Sequence, residues 1–587
     1  MGIFEVLQLV CGLALFLYGM DVMGDALKKS AGSGLKNMLG KMTSNPFKGF
    51  LLGLIVTAII QSSSATTVMV VGFVNSGTMT LVQSVGVIMG ANLGTAVTSW
   101  LTALSGLGGD GASEALGAIK WLKPDAWMPV LALIGICLIM FSKRGKKKDI
   151  GVILLGFAVL MVGMEYMSDS VSGLKDDPAF QSLLQKFTNP FLCMLAGLIL
   201  TVIVQSSSAS IGILQSLTVT GAITYGAALP IIVGQNIGTC ITAILSSFGA
   251  NRNGKRAALI HLYFNIIGAA LVLGGFYIID AFVDFAFLAD TIDMWGVAGV
   301  HTIFKIVSVI LIAPFYRHLE KLAHISVRDK AGEIEKENLL DERLLGTPAI
   351  AVTRAAEVAV EMAEISTKAL KDSLSLFKDY DQKIADKVRD FENKADTYED
   401  ALGTYLVKLS ACDLDQRDAK QVTKLLHIIG DFERISDHAV NITESAEEMK
   451  DKKISFSEEA QRELAVMRLA IDDILTATRD AFVNNDVRKA SEVEPLEQVV
   501  DDMRDQIKLN HIIRLQKSEC TIEHGFILSD LLTNFERVSD HCSNIAGCVI
   551  EISEFAALDM HKYLADIREG SAGYEEKYNE YKRKYNI

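Results

Sequence analysis

The sequence lacks the features that mark disulfide-stapled, zinc-binding and nucleic-acid-binding proteins. Its eight cysteines are scattered over 587 residues and none forms a CxxC pair, so their spacing indicates neither a disulfide framework nor a zinc site. The formal net charge of −14 argues against a nucleic-acid partner, since such proteins carry an excess of basic residues. No nucleophile–base pair and no Walker-type glycine loop occurs, so the sequence does not indicate an enzyme.

Charge and proline are scarce in different parts of the chain, and this divides it in two. Residues 1–319 carry 19 Lys and Arg against 15 Asp and Glu, whereas the remainder carries 37 against 55. Beyond residue 315 the prolines are Pro348 and Pro495 alone. An apolar, slightly basic first half is therefore followed by an acidic second half that favours helices.

The first half contains long apolar segments of the kind that cross a membrane. Residues 7–20 resemble the apolar core of a signal peptide, but no basic segment precedes them, so we predict a retained membrane helix. The predicted spans are 4–24, 80–103, 126–142, 149–168, 224–247, 257–279 and 296–316.

An internal duplication organises these spans. The stretch NPFKGFLLGLIVTAIIQSSSATT (45–67) returns 144 residues later as NPFLCMLAGLILTVIVQSSSASI (189–211), and GANLGTAVT (90–98) returns as GQNIGTCIT (234–242). From residue 45 to 104 the two copies share 23 identities in 60 positions without a gap. Such a register, kept through polar as well as apolar positions, indicates a repeat rather than chance similarity.

The basic loops indicate that the two copies have opposite orientations. Basic residues concentrate in 28–41, 143–148 and 250–256, which we place on the inner side of the membrane. All three basic segments fall on the same side of the membrane if each copy crosses the membrane an odd number of times. Inverted repeats of this kind are the layout of many secondary transporters.

Two pairs of shorter apolar segments predict re-entrant hairpins. Segments 47–60 and 65–75 are each shorter than the ~20 residues that a crossing needs, and the same holds for 191–204 and 209–219. Each pair brackets a QSSS string, which we place at the hairpin tip. The fold class expected for the first half is thus an all-α, polytopic membrane core of two inverted repeats, 1–144 and 145–320, the second including a final helix.

The repeated polar motifs supply candidate ligands for an anion and a small cation. A hairpin tip offers helix N-terminal N–H groups, serine hydroxyls and a glutamine amide. The glycines of GxNxGT predict local unwinding that frees carbonyl oxygens. The candidate ligands for the anion and the cation are Gln61, Ser62, Ser63, Ser64, Asn92, Thr95, Thr98, Gln205, Ser206, Ser207, Ser208, Asn236, Thr239 and Thr242. The alternative is that these side chains pack as small residues or bond back to their own helix.

Fixed charge is rare inside the predicted spans. Arg is absent from them and Lys305 is the single Lys deep within one, so a multiply charged anion would need co-bound cations to offset its charge. Asp21 and Glu165 occupy equivalent positions near helix ends, and we interpret them as interfacial. We interpret Lys305, His261 and His301 as structural or snorkelling residues.

The paired QSSS motifs, each followed by GxNxGT, resemble the type II sodium–phosphate cotransporter family over roughly residues 1–316. The resemblance implies sodium-coupled symport of inorganic phosphate across a prokaryotic plasma membrane. It also implies that Gln61–Ser64 and Gln205–Ser208 line the phosphate and sodium sites. A phosphate exporter, a carrier of another oxyanion and a membrane phosphate sensor without net transport stay open as alternatives.

The second half is expected to be a soluble helical domain with its own duplication. A charged linker is predicted at 321–345, followed by apolar residues at three- and four-residue steps over 346–587. DFERISDHAVNI (431–442) returns 103 residues later as NFERVSDHCSNI (534–545). We therefore predict two half-repeats, about 346–455 and 456–565.

Carboxylates four residues apart, on one helix face, recur in both half-repeats. The candidate metal ligands are Glu392, Asp396, Glu433, Asp437, Glu497, Asp501, Glu536 and Asp540. Oxygen ligands suit Mg²⁺ or Mn²⁺, and the neighbouring histidines could admit iron or zinc. The alternative is a solvated acidic face.

Residues 346–560 resemble PhoU-like domains, which are tandem three-helix bundles with E/DxxxD metal motifs. The resemblance implies a cytoplasmic regulatory module in phosphate handling. The partners expected for the whole chain are inorganic phosphate and the lipid bilayer, with no nucleic acid. The helical domain is a candidate surface for a homo-oligomer or a regulatory protein.

Overall fold

The computed structural model describes residues 3–39, 46–106, 124–142, 145–176, 189–328, 339–377, 380–554 and 572–587. Within these ranges almost every residue is helical, and no β-strand forms beyond a single bridge between Thr224 and Thr291. The all-α prediction is therefore confirmed. The chain divides into two compact units, Met1–Thr347 and Pro348–Ile587.

The first unit is built from long and short helices in a repeating order. Its described α-helices are α1 (Ile3–Leu39), α2 (Pro46–Ile60), α3 (Ser63–Asn75), α4 (Leu81–Ala103), α5 (Pro124–Phe141), α6 (Lys146–Ser172), α7 (Pro190–Val204), α8 (Ser207–Thr218), α9 (Tyr225–Gly238), α10 (Cys240–Ser246), α11 (Arg252–Val283), α12 (Met294–Ile312) and α13 (Tyr316–Ser326). We call α2 with α3 hairpin one, and α7 with α8 hairpin two.

Six of the seven predicted spans are long and apolar enough to cross a membrane. They are Ile3–Ser30, Leu81–Gly106, Lys146–Ser172, Tyr225–Ser246, Arg252–Val283 and Met294–Ser326. The seventh, in α5, is shorter in the described residues. The hairpin helices have 12 to 15 residues each and reach at most ~22 Å, short of the ~30 Å hydrocarbon core.

The packing of α1 on α6 shows that the two repeats are inverted. A Cβ added to Gly12 would lie 2.9 Å from the Gly163 carbonyl oxygen, and one added to Gly19 would lie 2.6 Å from that of Gly156. The numbers rise along one helix as they fall along the other, so the helices are antiparallel. Under the 144-residue offset Gly12 corresponds to Gly156 and Gly19 to Gly163. The offset therefore converts the Gly12–Gly163 contact into the Gly19–Gly156 contact, which indicates a local two-fold axis between α1 and α6.

The glycines of GxNxGT allow two helices to touch, and the predicted unwinding is wrong in the first repeat. A Cβ on Gly90 would lie 1.9 Å from the Phe50 carbonyl oxygen, and one on Gly234 would lie 1.8 Å from that of Met194. The α4 helix runs unbroken from Leu81 to Ala103, because close backbone packing stabilises it. In the second repeat the helix is interrupted at a single residue between α9 and α10.

The helix α1 is longer than its predicted span. It continues to Leu39, so Lys28 and Lys29, placed in a loop by the sequence, belong to the helix. The side chain of Lys36 and all of Lys41 lie outside the described residues. The predicted absence of Arg from the spans also needs correction, because α11 begins at Arg252 and includes a buried Arg256.

The second unit contains two successive three-helix halves. Its described α-helices are α14 (Pro348–Ser375), α15 (Gln382–Ser410), α16 (Gln416–Asp451), α17 (Glu458–Asn484), α18 (Val487–Ser491), α19 (Val493–Gln516), α20 (Ile522–Glu554) and α21 (Ala572–Lys584). Helices α14 to α16 pack together, α17, α19 and α20 do the same, and α16 packs on α20.

A second local two-fold axis passes between α16 and α20. His541 Nδ1 lies 2.8 Å from Asp431 Oδ1, and His438 Nδ1 lies 2.8 Å from Asn534 Oδ1. These pairs exchange under the 103-residue offset, and the two imidazole rings are 5.7 Å apart at their centroids. The repeated DFERxSDH motif therefore holds the two halves of the unit together.

The predicted linker 321–345 is structured at both of its ends. Residues 321–326 belong to α13, and Glu342–Gly346 form a 3₁₀ turn that packs within the first unit. Residues 329–338 lie outside the described residues.

Candidate functional site

Each hairpin turns at its glutamine. Gln61 and Gln205 have φ angles of 59° and 55°, a left-handed conformation that is uncommon for residues other than glycine and that ends helices. Their backbone N–H groups donate to the carbonyls of Thr57 and Thr201, both at 2.8 Å. The glutamine thus closes the first helix of each hairpin and reverses the chain.

The next serine starts the return helix in both copies. Ser62 Oγ accepts from the backbone N–H of Ala65, and Ser206 Oγ accepts from that of Ala209, each at 3.2 Å. These are N-caps, and they leave the first N–H groups of α3 and α8 without partners inside their helices. Each QSSS string therefore presents N–H donors and hydroxyls at a helix N-terminus, where anions are stabilised.

The two tips meet at one cavity of about 460 Å³. Its wall includes Gln61, Ser62, Ser63, Gln205, Ser206, Ser207 and Ser208. This volume leaves room for an oxyanion with accompanying cations. Two segments that are 144 residues apart in sequence thus form a single polar site.

A face of α1 completes the cavity, and sequence reasoning missed it. Leu17, Asp21, Gly24 and Lys28 line the cavity and follow each other at three- and four-residue steps, which places them on one side of a helix. Lys28 Nζ also lies 2.7 Å from Asp25 Oδ1. The helical spacing was a usable signal, but it required α1 to extend through Lys28.

The tips differ in how firmly they are held. The Gln61 side chain is buried, and its Oε1 accepts a hydrogen bond of 2.9 Å from Thr98 Oγ1 on α4. Gln205, its repeat mate, is exposed. The first tip is thus bonded to its neighbouring helix through a side chain that the second tip leaves accessible.

The other candidate ligands do not line this cavity. Ser64 lies in the first turn of α3. Asn92, Thr95, Asn236, Thr239 and Thr242 donate their side-chain hydrogens to backbone carbonyls of their own helices, the arrangement of the alternative reading. Thr98 is outside the lining, but it donates a hydrogen bond to Gln61, which lines the cavity. A lysine side chain nevertheless reaches the motif, because buried Lys305 donates to the Asn92 carbonyl oxygen at 2.6 Å.

In the first half of the second unit the predicted carboxylates face each other. Burial, with the neighbouring charges of Asp437 and Asp396, raises the pKa of Glu392. Burial, followed by the Asp437 charge, raises the pKa of Glu433 to about 7. A fifth carboxyl, Glu399, joins the group, and burial followed by nearby carboxylates raises its pKa. These oxygens form an acidic cluster, and the exposed Arg434, 3.2 Å from Asp437 and 3.5 Å from Glu433, offsets part of its charge.

In the second half an arginine enters the equivalent cluster. Arg504 Nη1 lies 3.1 Å from Asp501 Oδ1 and 2.5 Å from Glu536 Oε1. Relative to Glu497 and Asp501, it occupies the place that Glu399 takes relative to Glu392 and Asp396. Nowhere in the described ranges do three His, Cys, Asp or Glu side chains come close enough together to hold a metal as placed.

Comparison with known proteins agrees with this geometry. A family model described as Na+/Pi-cotransporter matches residues 15–169 and 160–295, the region of both hairpins. The PhoU domain model matches residues 359–446 and 464–549, the two halves of the helical unit. No solved structure matches the chain.

Full-length and partial relatives occur in bacteria and mammals. The chain is 23% identical over 557 residues to the "Putative inorganic phosphate export protein YjbB" of Salmonella typhimurium, covering 93% of this chain and 97% of that one. It is 30% identical over 318 residues to the "Uncharacterized protein YqeW" of Bacillus subtilis, covering 54% and 96%. It is 25% identical to the "Sodium-dependent phosphate transport protein 2A" of Rattus norvegicus, covering 44% and 59%.

One family assignment accounts for the inverted hairpin repeats, for the shared polar cavity and for these matches. This chain belongs to the Na+/Pi-cotransporter family of phosphate transporters, and its second unit consists of PhoU domains.

Proposed function

We propose that the chain carries inorganic phosphate together with sodium ions across the plasma membrane of a prokaryote. The observation that supports this most is the convergence of both QSSS tips on one cavity that also contains Asp21. The N–H groups and hydroxyls of the tips suit a phosphate oxyanion. Hydroxyl, amide and carboxylate oxygens suit a small hard cation.

The charges of the cavity favour coupling to a cation. Phosphate is anionic, and Asp21 lines the same cavity as the tips. Lys28 also lines it, but its ammonium lies 2.7 Å from Asp25, so its charge is already partly offset. A phosphate ion next to an aspartate is favourable only when cations lie between them. Sodium ions that bind with phosphate would supply that charge.

Radiolabelled phosphate flux into proteoliposomes tests the symport. An inward sodium gradient should drive phosphate accumulation above the equilibrium level, and collapse of the gradient with a sodium ionophore should abolish it. Replacement of sodium by potassium serves as the matched control. Flux of equal size with either cation would contradict sodium coupling, and an absence of phosphate flux would contradict transport itself.

Export is the second candidate function, and the name of the Salmonella relative favours it. The same vesicles separate the two. A symporter follows the sodium gradient, so reversal of the gradient reverses net phosphate movement. A carrier that exports down the phosphate gradient alone releases preloaded phosphate at the same rate whichever way sodium is directed.

We further propose that the PhoU domains lie in the cytoplasm, where they regulate transport, and that the acidic cluster of the first half holds a metal ion. Glu392, Asp396, Glu433 and Asp437 supply hard oxygen donors. Burial and the neighbouring carboxylates raise the pKa of Glu392 and of Glu433, and a divalent cation would relieve that repulsion. Each half has one exposed arginine beside its cluster, Arg434 at 3.2 Å from Asp437 and Arg537 at 3.5 Å from Asp540. The second half has Arg504 in addition, which offsets more of its carboxylate charge, so we expect metal in the first half alone.

Elemental analysis of the purified chain tests the metal proposal. We expect one metal ion per chain in the wild type and a loss of most of it in the Glu433→Gln, Asp437→Asn double variant. The matched control is Glu536→Gln, Asp540→Asn, at the repeat-equivalent positions, which should retain it. Equal metal content in all three proteins would contradict the assignment.

A further inference from the structure

A short segment of the first unit, residues 339–346, is attached to the end of hairpin one. We call this segment the strap. Its Asp341 is 1% exposed, and Asp341 Oδ2 accepts a hydrogen bond of 2.6 Å from Asn75 Nδ2, the last residue of α3. Next to it, Leu344 contacts the α3 backbone, because a Cβ on Gly72 would lie 3.2 Å from Leu344 Cδ2.

The strap is also bonded to the connection between α10 and α11. Arg343 lies 2.7 Å from Asp341 as an ion pair. Its guanidinium donates to the carbonyls of Ser246 at 2.7 Å and Phe248 at 3.2 Å. Asn75 itself accepts from the Asn251 backbone N–H at 2.6 Å. One buried polar network therefore joins the strap, the end of hairpin one and the start of α11.

The helix α3 connects this network to the transport cavity. The helix α3 has 13 residues, so its two ends are ~20 Å apart. Its N-terminus carries Ser63, which lines the cavity, and its C-terminus is Asn75, which the strap holds. A rigid helix transmits displacement from one end to the other.

Among the described residues, hairpin two has no matching attachment at the equivalent position; its α8 is bonded earlier in the helix, where Gln215 donates to the Ser99 and Met294 carbonyls. The repeat mate of Asn75 is Val219, which is 44% exposed and offers no polar side-chain atom. The same asymmetry occurs at the tips, where Gln61 is buried and bonded to Thr98 and Gln205 is exposed. Helix α3 of hairpin one is thus fastened near both of its ends, at Gln61 and at Asn75, by side-chain bonds that the described residues of hairpin two do not reproduce.

We propose that the strap is a clamp on hairpin one, and that its release permits the movement that transport requires. The inference rests on the proposed transport function, because it assigns to hairpin one a motion in the transport cycle. The strap ends at Gly346, and only Thr347 separates it from Pro348, where α14 of the second unit begins. A displacement of α14 therefore pulls directly on the strap, which gives the PhoU domains a covalent route to the cavity.

A disulfide across the clamp tests whether release is required. A Cβ on Gly72 would lie 3.6 Å from the Arg343 Cβ, within the range that disulfides span. The Gly72→Cys, Arg343→Cys chain should crosslink under oxidation and lose at least tenfold of its phosphate flux, and a reductant should restore the flux. The double variant kept reduced is the control for the loss of the Arg343 contacts, and Gly72→Cys alone under the same oxidant is the control for oxidation. A protease site inserted within 329–338 reports crosslinking, because only linked fragments stay joined after cleavage.

Release of the clamp is the converse test. In Asp341→Asn the buried charge that Arg343 and Asn75 bind is removed, so we expect at least tenfold faster hydrogen–deuterium exchange in α3 and a phosphate flux at least twofold higher. Glu342→Gln makes the same charge change at an exposed neighbour and should behave as the wild type.

Three results would overturn the proposal. They are a crosslink that does not form, a complete crosslink that leaves flux unchanged, and an Asp341→Asn chain in which α3 exchanges no faster. The exchange and crosslinking measurements need no transport, so they decide on the strap even where the wild type shows no flux. Absence of wild-type flux contradicts the proposed function instead.

Discussion

Two glutamines with the same sequence context have different surroundings in the folded chain. Both hold the left-handed turn of their hairpin, so the backbone role is shared. The side chains differ, because Gln61 is bonded to Thr98 whereas Gln205 is exposed. The duplication produced two tips with the same sequence. The Gln61 side chain is held in the cavity wall by a neighbouring helix, whereas the Gln205 side chain stays accessible. The division of labour between the tips is therefore set by their partners.

Removal of the Thr98 hydroxyl should weaken the first tip specifically. Thr98→Val keeps the shape of the side chain but leaves the Gln61 Oε1 without its donor, at a cost of about 1 kcal/mol. We expect the KM for phosphate to rise about fivefold with little change in maximal flux. Thr242→Val is the matched control, since Thr242 donates to the Thr239 carbonyl of its own helix. Equal effects of the two substitutions would contradict the asymmetry.

The charge of Asp21 should determine the sodium dependence. In Asp21→Asn the cavity keeps its shape and loses one negative charge, so sodium should bind less well; we expect about a tenfold higher sodium concentration for half-maximal flux. Glu165→Gln is the control, because Glu165 is the repeat mate of Asp21 and is exposed as Asp21 is, but lies outside the cavity lining. A sodium dependence that is unchanged in Asp21→Asn would remove this residue from the coupling site.

At the scale of elements, close contact between helix backbones sets the geometry of each hairpin against its neighbour. Gly90→Ala would place a methyl group 1.9 Å from the Phe50 carbonyl oxygen, so α2 and α4 must separate, at a cost of about 3 kcal/mol or more. Gly299→Ala is the control, since nothing lies within 4 Å of that position and alanine favours a helix by up to ~1 kcal/mol. Thermal unfolding in detergent measures both. A Gly90→Ala chain as stable as Gly299→Ala would contradict the close packing.

The acidic cluster of the first PhoU domain should make stability depend on pH. Burial and the Asp437 charge raise the pKa of Glu433 to about 7 from 4.5, so the folded chain binds its proton more tightly than the unfolded chain. This contribution to stability is complete below pH 4.5 and is lost as the pH rises through 7. With a chelator present, Glu433→Gln should therefore stabilise the chain more at pH 8 than at pH 5.

Differential scanning calorimetry of the full chain at both pH values measures this difference. Glu519→Gln, at an exposed carboxyl in the turn after α19, is the control. A Glu433→Gln stabilisation that is equal at the two pH values would show that Glu433 titrates in the folded chain as it does in the unfolded one.

The sequence predicted the hairpins but not all of the contacts that they make. The QSSS strings and segment lengths predicted the tips, because turn chemistry and helix length are local properties. The helix-breaking effect expected of Gly90 was wrong, because propensity yields to tertiary packing. The contributions of Lys28 to the cavity and of Asp341 to hairpin one depend on chain segments that meet only in three dimensions. No local pattern in residues 339–346 indicates their partner, 266 residues away.

At the scale of the whole molecule, two separate duplications, one in each unit, produce two local two-fold axes. In the first unit the axis relates α1 to α6 and brings both tips to one cavity. In the second unit it relates α16 to α20 and places His438 beside His541. Each axis is broken where function would require one copy to differ: the strap holds hairpin one, and Arg504 enters the second acidic cluster. The repeats thus supply the architecture, and unrepeated residues supply the asymmetry.

The inverted arrangement makes a definite prediction of membrane orientation. The Lys146–Lys148 segment is basic and begins α6, whereas the turn at Ala286–Ala289 follows α11 and is flanked by Asp284 and Asp290. The excess of basic residues stays in the cytoplasm, so the first segment should be inside and the turn outside. On intact cells a membrane-impermeant maleimide should label Ala286→Cys and spare Lys147→Cys, and lysis should expose both. Labelling of Lys147→Cys alone would reverse the orientation, and labelling of both would contradict an odd number of crossings between the two positions.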